Sequence, residues 1–90
     1  MGTAVVKIRI MPLSPDSDLK KIEEETKKLI ENKGGKGCQF EEKPIAFGLN
    51  SVEVFFGWPE EEEIDSLEKE INNIKNVNSV QIIDMRRAIG

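Results

Sequence analysis

The order of hydrophobic patterns along the chain predicts an α+β fold: one four-stranded antiparallel sheet with both helices packed on one face. Three observations carry it. Strand-like alternation opens and closes the chain. Stretches with apolar residues at helical spacing follow the first and third strands, and the 90 residues leave no length for a further helix. The order β-α-β-β-α-β is the split-βαβ, or ferredoxin-like, plan, in which right-handed crossovers put both helices on the same side. The other sheet face is then open, and folds of this plan often work there. Residues 1–90 read as a single domain.

From Thr3 to Met11 the chain alternates, with Ala4, Val6, Ile8 and Ile10 on one face and Lys7 and Arg9 on the other. Pro12 stops this strand, and Leu13-Ser14-Pro15-Asp16 is a connection of turn formers. Asp16 or Ser17 can cap the next element, with Asp18 adding negative charge to its first turn. Leu19, Ile22, Thr26, Leu29 and Ile30 recur at helical spacing, and Asn32-Lys33-Gly34-Gly35 ends that helix. Gly37 to Lys43 is the weakest strand: Cys38, Phe40 and Ile45 offer apolar contacts, while Glu41-Glu42-Lys43 has the charge of an edge.

Pro44 to Phe56 is the centre of the chain. Pro44 pushes Lys43 toward an extended conformation, and Phe47 stands at the apex of a turn beside Gly48, which tolerates positive φ. Phe47 either folds back onto the core or stands out as an anchor. The strand that follows is the most apolar, with Val52, Val54 and Phe56 on one face and Ser51, Glu53 and Phe55 on the other. Gly57-Trp58-Pro59 closes it. Glu60 to Glu63 read as acidic residues favouring a helix N-terminus rather than a cation site, because a contiguous run cannot aim all its oxygens at one ion. Ile64, Leu67, Ile71 and Ile74 mark the second helix. Asn76-Val77-Asn78 ends it. Ser79 to Met85 is the last strand, with Val80 and Ile82 facing one way and Ile83 and Met85 the other, and Arg86-Arg87-Ala88-Ile89-Gly90 is the tail.

A net charge of −4 argues against a general nucleic-acid binder, which shows a basic footprint. An RNA-recognition reading also fails on aromatics: only one of Phe55 and Phe56 can face outward, and the first strand has none. With one cysteine and no histidine, a multi-cysteine zinc site is ruled out and no metal is expected. No apolar run approaches the ~20 residues that span a bilayer. Met1-Gly2 lacks the Ser or Thr that myristoylation wants at the sixth position, where Val6 stands. A soluble, unanchored, cytoplasmic protein is expected.

General-base and nucleophile constellations are largely absent, as are GxGxxG and phosphate-loop patterns, so an enzyme is the weaker class and no cofactor is expected. What remains is a protein-binding module whose function lies in a surface, with Phe47 at a turn tip and Arg86-Arg87 near the end as candidates. The runner-up is a regulatory or ligand-binding domain that oligomerises through its open sheet face.

Three blocks in register then carry a resemblance. These are Ile8-Arg9-Ile10-Met11-Pro12 followed by Ser14-Pro15-Asp16, Pro44-Ile45-Ala46-Phe47-Gly48-Leu49, and Asp84-Met85-Arg86-Arg87. Together they resemble the archaeal elongation factor 1-beta family over nearly the whole chain. The resemblance implies a ferredoxin-like domain that releases GDP from elongation factor 1-alpha so that GTP can replace it, without bond chemistry of its own. It implies a free monomer that uses neither nucleic acid nor membrane. Phe47, flanked by Ala46 and Gly48, matches a turn aromatic through which eukaryotic relatives contact the GTPase. Those relatives also place a next-to-last lysine near the magnesium and phosphates. Here the chain ends Ala88-Ile89-Gly90, so Arg86 and Arg87 are the nearest cations, a few positions early. They either act there or pair with surface carboxylates.

Overall fold

Alternation is strict in β1 (Thr3–Pro12), and it sorts the strand cleanly: Ala4, Val6, Ile8, Ile10 and Pro12 are buried, and the residues between them face outward. A computed structural model describes residues 2–87. The remaining elements are α1 (Leu19–Asn32), β2 (Lys36–Pro44), β3 (Asn50–Pro59), α2 (Ile64–Asn72) and β4 (Val77–Arg87). All strand pairs are antiparallel, in the order β2-β3-β1-β4. The inner faces of β1 and β3 bury Val52, Val54, Phe56 and Trp58 with the β1 set, and Ile22, Ile30, Leu67 and Ile71 from the two helices complete one core. Both helices therefore cover the same face, as expected.

Several local readings are corrected. The cap of α1 is Asp18, whose carboxylate accepts from the Lys21 N–H at 3.2 Å. Ser17 instead closes the preceding turn, its hydroxyl accepting from the Ser14 N–H, and Asp16 is exposed within that turn. The glutamates at 60–63 form the turn before α2; Glu63 takes the cap position without a side-chain hydrogen bond, and the first-turn acid is Asp65. Ile45 is exposed rather than packed. Trp58 does not close β3 but lies inside it, fully buried, edge-on to Phe56 at 5.8 Å between ring centroids. Its Nε1–H donates to the Glu62 carbonyl at 3.0 Å, which satisfies the indole and fixes the approach to α2. That helix stops at Asn72, so Ile74 meets the core from the following turn, where Asn76 takes a φ of 73°. Asn tolerates this left-handed conformation better than most residues.

The last strand differs most. It starts at Val77 and runs through Arg86 and Arg87, which belong to the sheet and not to a tail. Lys7 pairs with Asp84 and Ile8 with Ile82, so Ile83 is an extra residue, a β-bulge. The bulge reverses the alternation beyond it. Ile82 lies opposite Ile8 and Met85 opposite Val6, both on the helix side, whereas unbroken alternation would have opposed them.

Candidate partner-binding site

The β2–β3 connection is short because Pro44 pairs with Asn50 and a single tight turn, with Phe47 and Gly48 at its centre, spans the gap. The Ile45 N–H donates to the Leu49 carbonyl at 2.8 Å, and the Leu49 N–H donates to that of Ala46 at 3.2 Å. Closing the turn forces two successive left-handed residues, Phe47 at φ 61° and Gly48 at φ 75°. Glycine takes this freely; for phenylalanine it costs about 1–2 kcal/mol. Nothing repays that locally, since Phe47 is 94% exposed. Of the two conformations open to it, Phe47 takes the outward one, with Ala46 and Gly48 exposed beside it.

Arg86 and Arg87 end the described part of β4. Arg86 Nε lies 3.2 Å from an Asp84 carboxylate oxygen, and Arg87 Nε lies 2.6 Å from Glu60. Both arginine side chains are about four-fifths exposed, so water screens these pairs and they hold their cations weakly. The two point apart: Arg86 is opposite Val5 on the open face, and Arg87 is opposite Ala4 on the helix side. Neither is near Phe47. The Phe47 turn precedes Asn50, at the start of β3, whereas Ala4 and Val5 pair with Trp58 and Gly57 at its far end. The strand rise makes that separation roughly 26 Å. The Ala88-Ile89-Gly90 ending lies outside the described residues.

A third feature was not singled out from the sequence. Glu53 is on the open face yet only 2% exposed. Arg9 donates to its Oε2 through Nε and Nη2, each at 3.2 Å. Its Oε1 faces Lys7 Nζ at 3.1 Å and Lys43 Nζ at 3.7 Å, close enough for ion pairing but without a well-directed hydrogen bond. Lys7 is also seated over the Phe55 ring, 4.5 Å from its centroid. Burial alone would raise the Glu53 pKa; contacts from Lys7 and Arg9, with the charge of Lys43, outweigh it and hold the carboxyl below its ordinary value of 4.5. A depressed folded-state pKa contributes stability above the unfolded value and loses it as pH falls through the folded one. Unfolding midpoints should therefore drop as pH is taken below about 4.5. Glu53→Gln should flatten that part of the profile and cost about 1–3 kcal/mol at neutral pH, measured by denaturant unfolding. The available signal was a lone carboxylate between Val52 and Val54 with cations at the outward positions of β1, but only the strand register shows that they converge.

Among the described residues no group of three or more His, Cys, Asp or Glu side chains could hold a metal ion. A groove of about 470 Å³ lies between the helices near Leu29 and Ile74, away from all three features.

Residues 5–88 match a family described as the EF-1 guanine nucleotide exchange domain. The chain is similar to the elongation factor 1-beta of Methanococcus maripaludis strain C5, 33% identical over 86 residues, covering 94% of this chain and 97% of the relative. It is similar to that of Archaeoglobus fulgidus at 38% identity with the same coverage. Among solved structures, a de novo designed protein, Foldit4, superimposes with a TM-score of 0.63 over 98% of each chain at 18% identity, a likeness of fold alone.

Proposed function

The chain belongs to the family of EF-1 guanine nucleotide exchange domains, and from that membership we propose that it promotes exchange of GDP for GTP on elongation factor 1-alpha by binding and stabilising the nucleotide-free state of that GTPase. The observation that carries the finer reading is the exposed, left-handed Phe47. A fully solvated aromatic on a hydrogen-bonded turn adds nothing to this chain's own core and has the character of an interface anchor.

The mechanism makes and breaks no covalent bond. A GTPase holds GDP through its phosphate loop and Mg²⁺. A protein that bound the loaded and empty forms equally would shift nothing; the one that prefers the empty form lowers GDP affinity by the same factor by which GDP lowers its own. Phe47, with Ala46 and Gly48, supplies one contact. Arg86 and Arg87 supply the second, directed at the metal and phosphate region. The two lie at opposite ends of the sheet, so they cannot press on one spot, and the partner must reach along the whole length of β3. Arg86 is the cation of the two on the open face, and its contact with Asp84, 3.2 Å, is longer than that of Arg87 with Glu60, 2.6 Å. Residues 1–90 act as one domain, as a monomer when free, in the cytoplasm and without nucleic acid. No described helix is long and apolar enough to cross a membrane.

Equilibrium binding to elongation factor 1-alpha, with and without GDP and Mg²⁺, tests the reading. The empty GTPase should bind more tightly by tenfold or more, a coupling of at least about 1.4 kcal/mol. Equal affinity for the two forms would remove it.

A further inference from the structure

The open face of the sheet is not uniform. Four of its five cations, all but Lys36 on β2, lie in a diagonal band that begins with Arg86 on β4, passes Lys7 and Arg9 on β1, crosses β3 over the buried Glu53, and ends with Lys43 on β2. Lys43 comes one residue before Pro44, where the turn bearing Phe47 begins. The band therefore joins the two ends proposed above as contacts. Strand spacing and rise make it roughly 24 Å long. The carboxylates on this face are Glu41, Glu53 and Asp84, and Glu53 lies beneath the band rather than beside it. Although the whole chain carries −4, among the described residues this face has five cations, Lys36 included, to three carboxylates, and the acidic excess lies elsewhere.

The construction presents charge outward. One carboxylate, sunk to 2% exposure, aligns Lys7, Arg9 and Lys43 without neutralising them all. The side chains of Arg9 and Lys43 stay 41% and 46% exposed. Phe55 braces Lys7 from below, and Val5, 45% exposed, adds apolar surface beside Arg86. Oppositely charged residues of a partner could pair along this band without first ordering the lysines and arginines.

We propose that the open sheet face is the main docking surface for elongation factor 1-alpha, and that the cationic band receives an acidic ridge of that GTPase lying diagonally between the Arg86 end and the Phe47 end. This rests on the exchange-factor reading. A protein occupant is favoured over a nucleic acid because carboxylates interrupt the band and the chain is acidic overall.

The test uses the full chain with Lys43→Glu and Gln81→Glu, singly and combined. Of the three cations facing Glu53, Lys43 is the farthest from it, and Gln81 is an exposed residue opposite Arg9 that takes no part in holding Glu53. Release of mant-GDP from loaded elongation factor 1-alpha is followed against concentration of the chain and against salt, with thermal unfolding as the folding control. The double variant should raise the half-saturating concentration roughly tenfold, leave the maximal release rate within about twofold, and weaken the salt dependence. Gln81→Glu alone should shift it in the same direction with an unchanged melting temperature. Wild-type half-saturation and salt dependence in the folded variants would overturn the docking face while leaving the exchange reading intact. A wild-type chain that does not accelerate release overturns both. Salt-sensitive binding of a labelled RNA oligonucleotide by the wild type, lost in the double variant, or a wild-type dimer that the variants dissolve, would assign the band to another occupant and likewise overturn it.

Discussion

Phe47→Ala is expected to slow stimulated GDP release by roughly 30-fold or more, the effect of removing an anchor worth at least about 2 kcal/mol. Stability should scarcely change, because a side chain 94% exposed packs against almost nothing. Phe47→Gly sharpens the experiment. Glycine removes the cost of a left-handed phenylalanine and should match or exceed the wild type in melting temperature while losing exchange to the same degree. Mant-GDP release and thermal unfolding measured on both variants separate an anchor from a structural residue. An unchanged release rate in Phe47→Ala would remove the anchor.

The largest effect on folding is expected at Trp58. Its side chain is fully buried, meets Phe56 edge-on and donates to the Glu62 carbonyl, so Trp58→Ala leaves a large cavity and an unpaired acceptor. Losses of about 3–5 kcal/mol are usual for such a truncation. In a domain of this size that is about 15–30 °C in melting temperature. Trp58→Phe keeps much of the volume and loses the hydrogen bond, and should cost about 1–2 kcal/mol more than a neutral swap. Circular dichroism melts of the two variants give both numbers. A loss under 1 kcal/mol for Trp58→Ala would mean that the β3–α2 corner does not depend on the indole.

Element type and order were legible because they rest on local periodicity. The alternation of β1 and the Ile22, Thr26, Ile30 and Leu67, Ile71 stripes are buried as their spacing requires. What escaped depends on pairing between distant strands. Glu53 looks solvated in sequence, and only the pairing of β3 with β1 and β2 places Arg9 and Lys43 around it. The separation of Phe47 from Arg86 and Arg87 likewise follows from strand direction. The outward position of Phe47 is a third kind of case. Its neighbours showed a turn, but the turn needs two left-handed residues and only Gly48 announces one. The bulge at Ile83 is the fourth: Ile82 and Ile83 are chemically alike, and nothing in their order says which is the extra residue.

That single unpaired isoleucine settles the parity of everything after it. With Ile83 in place, Arg86 falls on the helix-free surface and Arg87 beside Glu60. Were Ile83 drawn into the ladder opposite Lys7, the arginines would exchange sides while the composition of the strand stayed the same. Which of two identical side chains can reach a partner is decided in this protein by counting, not by chemistry.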